Sequence, residues 1–221
     1  MELGIQRYGE LSLLVSAPRF EDLGVRRVLD VAFAENAPLG YLKHVWGAEN
    51  LLVLFRSLPS EDLLRIWFAG LGNCVDAAEA RCPLHDVPVV YDGSDLDAVA
   101  AMAGLSAQEV VALHSEPEYR VRMMGFSPGF PYLDGLNPRL QLPRREAPRK
   151  RIETGAVAIG GPHAGIYSVA SPGGWHLLGR TDLRLFKPEL AAGASVDATT
   201  VFAFRPGDRV RFVPVREGGE L

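Results

Sequence analysis

Between Gly125 and Phe212, recurring glycines and prolines cut the chain into short β-prone pieces: Ala156 to Ile159, Ile166 to Val169, His176 to Leu178 and Arg209 to Val213. Proline locks one backbone angle and glycine releases both, so a segment punctuated this often leaves no room for long helices. Short strands joined by tight turns remain, which is the signature of a barrel or a sandwich. Pro206-Gly207-Asp208 is one such turn and feeds the last strand.

The first third of the chain has a different rhythm. Leu11 to Val15 reads as a strand, and Leu23, Val28, Leu29, Ala32 and Phe33 then recur at helical spacing. Leu42 to Trp46 and Leu51 to Phe55 are β-prone runs separated by Gly47-Ala48-Glu49-Asn50, which suits an antiparallel hairpin. Ser60 can cap a helix whose Leu63, Leu64, Trp67 and Phe68 share one face. The order β-α-β-β-α predicts a ferredoxin-like layer of helices on one sheet.

Periodicity stops across Ala77 to Pro83, which places a domain boundary there and predicts domains 1–82 and 83–221. A new strand, Val87 to Tyr91, opens the second domain. Two short helices follow: Ser94 precedes Leu96, Val99, Ala100 and Ala103, with Gly104 as the stop, and Ser106 with Glu109 forms a capping box. The fold class is therefore α+β, a small α/β domain followed by a β-barrel domain.

The 221 residues suffice to bury a core in one or two domains, and a net charge of −4 gives no general attraction to nucleic acid or anionic lipid. The start, Met1-Glu2-Leu3-Gly4-Ile5, lacks a basic stretch followed by an apolar one, and no long charge-free run follows elsewhere. A soluble cytoplasmic protein without a membrane partner is the expectation. Cys74 and Cys82 have the spacing of neither a redox pair nor a zinc knuckle, so no metal site is expected.

Chemistry gathers in three places. GFSPGFPYL, Gly125 to Leu133, alternates Phe126, Phe130 and Tyr132 with glycine and proline, which suits either the wall of a pocket for a small flat ring or ordinary loop packing. PRLQLPRREAPRKR, Pro138 to Arg151, carries Arg139, Arg144, Arg145, Arg149, Lys150 and Arg151 on a backbone that Pro143 and Pro148 keep extended. Its guanidinium groups suit a phosphate or carboxylate, a solvated basic edge or a nucleic-acid patch, the last disfavoured by the acidic remainder. His114, late in the capped helix with Glu116, Glu118 and Arg120 nearby, is either a proton shuttle or a structural imidazole.

IGGPHAGIY and SPGGWHLLGRT, Ile159 to Tyr167 and Ser171 to Thr181, could offer backbone amides to an anion. Neither has the lysine and hydroxyl residue of a P-loop. Ser171 also lacks the strand-turn-helix setting of an activated nucleophile.

Taken in order, GFSPGFPYL, the PRR and PR pairs, SPGGW, GRT and the closing PGDRVRF resemble the 5-oxoprolinase B-subunit family, also called KipI-like proteins and allophanate hydrolase subunit 1. The resemblance runs from about Tyr8 to Phe212 and implies an N-terminal α/β domain followed by a cyclophilin-like barrel. It further implies ATP-dependent opening of 5-oxo-L-proline to L-glutamate, with Mg accompanying ATP. The implied partners are a second cyclophilin-like protein, the C subunit, with a lactam-utilisation protein, the A subunit; the chain alone is expected to be inactive.

Carried over residue by residue, the resemblance places His114, Arg120, Phe126, Pro128, Phe130, Arg144, Arg149, Ser171, Gly173, Gly174, Trp175, Arg180 and Thr181 at motif positions expected to line the barrel cleft. Our own reading of their chemistry expects catalysis from His114, Arg120, Arg144 and Arg149 and substrate binding from the others, with His163 added from a departure. Where relatives commonly read GGQTGIY, this chain has Gly161-Pro162-His163-Ala164-Gly165-Ile166-Tyr167, trading an amide and a hydroxyl for an imidazole and a methyl. Such an exchange in a polar site can change which ligand is accepted. The resemblance also leaves open biotin-dependent carboxyl transfer, since the same domains occur in urea carboxylase, although no biotin-accepting lysine motif is visible. A third reading is inhibition of a sensor histidine kinase through a docking surface.

Overall fold

The computed structural model describes residues 3–47, 49–71, 82–191 and 198–216. The chain divides into two compact units, Met1–Cys82 and Pro83–Leu221. Most of the Ala77 to Pro83 stretch, and Cys74 with it, lies outside the described residues, while Cys82 is buried.

The first unit runs β1 (Gly4–Arg7), β2 (Ser12–Ser16), α1 (Leu23–Asn36), β3 (Tyr41–Trp46), β4 (Asn50–Phe55) and α2 (Glu61–Gly70). Asp22 caps α1 by accepting from the Gly24 and Val25 amides, and Ser60 caps α2 through the Leu63 amide. The sheet is antiparallel throughout, in the order β1-β2-β4-β3. Val15, Leu51, Val53 and Phe55 point from its strands into a core with Phe20, Leu29, Phe33, Leu64 and Phe68.

This unit corrects the reading from sequence. Its order is β-β-α-β-β-α, two hairpins laid side by side, rather than a ferredoxin-like β-α-β-β-α. The added strand, Gly-Ile-Gln-Arg, has one apolar residue and no alternation to announce it. It becomes a strand because Ile5 and Arg7 find partners in Val15 and Leu13.

The second unit comprises β5 (Leu84–Val89), α3 (Leu96–Ala103), α4 (Ala107–Ser115), β6 (Tyr119–Met124), β7 (Pro131–Asp134), β8 (Arg149–Ile152), β9 (Ala156–Gly160), β10 (His163–Ile166), β11 (Ser171–Gly173), β12 (His176–Arg180), α5 (Ala198–Val201) and β13 (Arg209–Pro214). Seven of the strands form one sheet in the order β12-β9-β10-β7-β6-β13-β5, and only β13 and β5 pair in parallel. Just past β5, Val90 and Arg180 exchange two backbone hydrogen bonds of 2.9 Å, which brings the two ends of the sheet together. The result is a nearly closed barrel. Gly179 makes this approach possible, because a Cβ there would run into the Val90 carbonyl.

Side chains such as Val87, Val121, Leu133, Ile159, Leu178 and Phe212 fill the barrel. The capping box forms as read, with Ser106 and Glu109 closing each other's amides, and Gly104 ends α3 in the left-handed region at φ 65°. No single helix among the described residues is long and apolar enough to cross a membrane. β8 and β11 stand apart from the barrel sheet as a two-stranded ribbon, and that ribbon borders the candidate site.

Candidate functional site

A second apolar cluster, formed by Phe130, Ile152, Ala156, Ala158, Tyr167 and Trp175, underlies a cleft of about 170 Å³. Phe130 is its hub, with ring centroids 5.2 Å from Tyr132, 5.3 Å from Tyr167 and 5.4 Å from Trp175, all steeply inclined. Edge-to-face pairs contribute about 0.5–1.5 kcal/mol each beyond burial, so the wall is rigid. Glycines seat it: a Cβ on Gly160 would lie 2.7 Å from the Trp175 ring, and one on Gly165 would lie 2.9 Å from both Phe130 and Trp175.

Phe126 closes one side of the mouth. It is a non-glycine residue at φ 65°, and Ser127 N–H donates across it to the Gly125 carbonyl at 2.7 Å, the geometry of a tight three-residue turn. Holding a bulky residue there costs about 1–3 kcal/mol, which the surrounding contacts must offset. Those contacts include edge-on packing against Phe130 and Tyr167 and the Ser168 hydroxyl donating to the Pro128 carbonyl at 2.6 Å. Even so, Phe126 remains 60% exposed.

Arginines form the opposite side. The Arg144 guanidinium lies over the Trp175 ring at 5.7 Å, and among the described residues it enters no ion pair. Arg145, its neighbour, instead meets Asp95 at 3.0 Å, and Arg149 meets the same carboxylate oxygen at 2.7 Å. Asp95 Oδ2 accepts from the Leu177 amide at 2.8 Å. Burial acts to raise the Asp95 pKa, but Arg149, the Leu177 amide and Arg145 outweigh it and hold the carboxyl below its usual range. Two guanidinium groups thus share one carboxylate while Arg144 stands apart from it, and the cleft carries net positive charge.

Tyr167 adds a hydroxyl pressed against Gly173. Burial pushes its pKa up, a rise that a hydrogen bond with the Trp175 backbone and the charge of Arg144 offset only in part, so the hydroxyl stays protonated at neutral pH. The cleft therefore combines an apolar slot for a flat ring, one unclaimed guanidinium and neutral polar groups.

Of the residues named from sequence, Phe126, Phe130, Arg144, Gly173, Gly174 and Trp175 line this cleft. Pro128 belongs to the loop behind Phe126, and Arg149 stands one step back, also bound to Ser94 Oγ at 3.1 Å. Ser171 lies on β11 with a buried hydroxyl that has no hydrogen-bond partner among the described residues. His163 packs edge-on against Tyr132 and pairs with Asp134 at 2.9 Å. Arg180 pairs with Asp92 at 2.8 Å beside the barrel closure, and Thr181, buried, accepts from the Leu183 amide.

Two of the residues expected in catalysis stand away from this cleft. His114 is fully buried in the barrel core, stacked on Phe212 at 4.5 Å with Nδ1 bonded to the Tyr91 hydroxyl. Burial pushes its pKa down to about 3, so it stays neutral and cannot exchange protons near neutrality. Arg120 lies on β6 in register with Asp134 and Arg209, and it does not line the cleft. Conversely, Tyr132, Arg145, Pro148 and Tyr167 do line it, and Asp95 organises it from below. Tyr132 and Arg145 stand inside motifs that the sequence already marks; Asp95 reads in sequence only as an acid near a helix start.

A barrel that presents an aromatic and guanidinium-lined cleft on its glycine-rich strands is the architecture of a carboxyltransferase-type domain, and the family model described as "Carboxyltransferase domain, subdomain C and D" matches residues 3–195. Within that class the chain belongs to the family of 5-oxoprolinase B subunits. It is 43% identical over 181 residues to the 5-oxoprolinase B subunit of Escherichia coli O157:H7, covering 78% of this chain and 77% of the relative. Among solved structures, the protein called TTHA0988 is 36% identical with a TM-score of 0.77, over 95% of this chain and 41% of the longer one. The Kluyveromyces lactis urea carboxylase shares the fold at 19% identity and a TM-score of 0.66, over 97% of this chain and 22% of the enzyme. The chain thus spans well under half of either solved relative.

Proposed function

We propose that this chain is the B subunit of a cytoplasmic 5-oxoprolinase, in which a cyclophilin-like barrel binds 5-oxo-L-proline for opening to L-glutamate. The observation that carries this reading is Arg144 poised over Trp175 at the edge of an aromatic slot, with no carboxylate paired to it among the described residues. A five-membered lactam ring fits flat against aromatic faces, and its carboxylate suits a planar guanidinium. Family membership supports the same assignment, as does the E. coli relative's name.

An amide is a poor electrophile, and ATP supplies the phosphoryl group that makes the lactam carbonyl reactive. The cleft does not fit the nucleotide itself. At about 170 Å³ it is smaller than the roughly 300–1,000 Å³ typical of sites for larger ligands. Its lining also holds no carboxylate that could ligate an accompanying Mg. The nucleotide is therefore placed outside this cleft. The residues of this chain bind, orient and exclude water: Arg144 neutralises the substrate carboxylate, the aromatic walls hold the ring, and the protonated Tyr167 donates a hydrogen bond.

The test is 5-oxo-L-proline-dependent ATP turnover by the reconstituted three-component assembly. Arg144→Ala should raise KM for 5-oxo-L-proline about 30-fold, the scale of one hydrogen-bonded charge contact, and unchanged turnover would remove the proposed clamp. The family model's description favours a second reading, carboxyl transfer. Turnover that required bicarbonate and a biotinylated carrier would establish it in place of the first.

A further inference from the structure

We infer that Asp95 is a positioning residue for the cleft, an internal carboxylate that holds Arg145 in the cleft wall and Arg149 directly behind it in the orientation an anion requires. This rests on the reading of the cleft as an anion site. Two segments distant in sequence converge on one side chain, since Asp95 lies 50 residues before Arg145, 54 before Arg149 and 82 before Leu177. It is only 3% exposed, so its charge is balanced by these partners rather than by water.

The convergence fixes more than the carboxylate. Arg145 N–H donates to the Gly174 carbonyl at 2.8 Å, tying the arginine segment to the SPGGW loop whose Gly173, Gly174 and Trp175 line the cleft. Asp95 N–H and Gly93 N–H each donate to β12 carbonyls at 3.1 Å, anchoring the carboxylate's own backbone to the closure of the barrel. From that anchor Asp95 engages one face of each guanidinium. Arg145 Nε and Arg149 Nη1, both buried, have no hydrogen-bond partner among the described residues, and Ser171 Oγ on β11 is likewise open. Charged donors left open beside a cleft are groups that a ligand can satisfy.

Charge and orientation predict opposite signs for one substitution, which separates a positioning role from a merely electrostatic or structural one. Asp95→Asn keeps the shape and makes the cleft more positive by one charge. Were net charge alone to govern, an anion would bind more tightly. Were orientation to govern, it would bind more weakly, because Arg145 and Arg149 lose the acceptor that aims them.

The experiment has two arms on wild type, Asp95→Asn and Asp95→Glu, each first confirmed folded by circular dichroism. In the first arm the full chain is labelled with phenylglyoxal, which adds to accessible guanidinium groups, and the rate at each arginine is read by tandem mass spectrometry. Arg145 and Arg149 should label about tenfold faster in Asp95→Asn, the scale of one lost charge-assisted hydrogen bond, with Arg144 little changed. In the second arm, KM for 5-oxo-L-proline in the reconstituted assembly should rise about tenfold in Asp95→Asn with a smaller change in kcat, and Asp95→Glu should recover part of it.

Unchanged labelling of Arg145 and Arg149, or a KM that stays level or falls in folded Asp95→Asn, overturns the inference. Should Asp95→Asn fail to fold, Asp95→Glu decides alone: its longer side chain displaces the carboxylate, so wild-type labelling and wild-type KM together would refute the role. If the wild-type assembly shows no turnover with 5-oxo-L-proline, the proposed function fails, while the labelling arm still decides whether Asp95 holds the arginines.

Discussion

The two units each set a carboxylate among aromatic or cationic groups, and they complete its surroundings differently. In the first unit, Asp30 Oδ1 on α1 accepts from Trp46 Nε1 at 2.7 Å and from His44 Nε2 at 2.8 Å, while His44 Nδ1 accepts from the Tyr41 hydroxyl at 2.7 Å. Phe33 stacks on both Tyr41 and His44, and the network closes on itself. In the second unit, Asp95 gathers Arg145 and Arg149, yet Arg145 Nε, Arg149 Nη1 and Ser171 Oγ have no hydrogen-bond partner among the described residues, and Arg145 lines a cleft. A closed network pins strand β3 to a helix and asks nothing of a ligand. An open one beside a concavity marks the surface where a ligand completes the hydrogen bonding.

The sharpest way to break this comparison uses the two histidines. His44 has both ring nitrogens engaged, whereas His114 in the barrel core has a bonded Nδ1 and an Nε2 without a hydrogen-bond partner among the described residues. The His114 pKa of about 3 lies below its unfolded value, so between the two the unfolded chain binds a proton that the folded chain refuses. Its contribution is therefore fully present above pH about 6.5 and falls by about 1.4 kcal/mol per unit as pH drops toward the folded value. Urea titrations from pH 7 to 4.5 should show this slope in wild type and lose it in His114→Gln. Equal slopes would mean that the core admits the charged ring.

Smaller in expected size is the effect of Asp30→Ala. It strands the Trp46 and His44 donors and should lower stability by about 2 kcal/mol in chemical denaturation, a figure moderated by the 37% exposure of the Asp30 side chain. Binding of 5-oxo-L-proline by the assembly should be untouched, and a parallel loss of binding would blur the distinction between the units.

The smallest effect on stability belongs to Arg144→Ala. Since Arg144 enters no ion pair among the described residues and lies at the cleft edge, its removal should change the unfolding free energy by no more than about 0.5 kcal/mol. A loss several times larger would reclassify Arg144 as part of the scaffold.

The sheet-rich later half was legible because its turns are local. Glycines and prolines at short intervals dictate short strands wherever the partners turn out to lie, and β7 to β13 occupy that stretch. The capping box was legible for the same reason, since Ser106 and Glu109 satisfy each other within one helical turn. β1 was not, because four residues with one apolar side chain acquire strand geometry only from β2. His114 misled because helical spacing does not tell which face of α4 meets the barrel, and the face that carries His114 meets Phe212.

By itself, the amino-acid order determined the helices, the caps at Ser60 and Ser106, the short strands of the later half, and an aromatic alternation in GFSPGF stiff enough to build a wall, since each depends on neighbours a few positions away. Only the tertiary structure decided which arginine is available. Arg144 and Arg145 are adjacent and chemically identical, yet one lies over Trp175 with no ion pair among the described residues and the other is held by a carboxylate from 50 residues earlier. The physical reason is that a buried charge must find its counter-charge wherever the fold brings one, and closure of the barrel at Val90 and Arg180 is what brings Asp95 within reach.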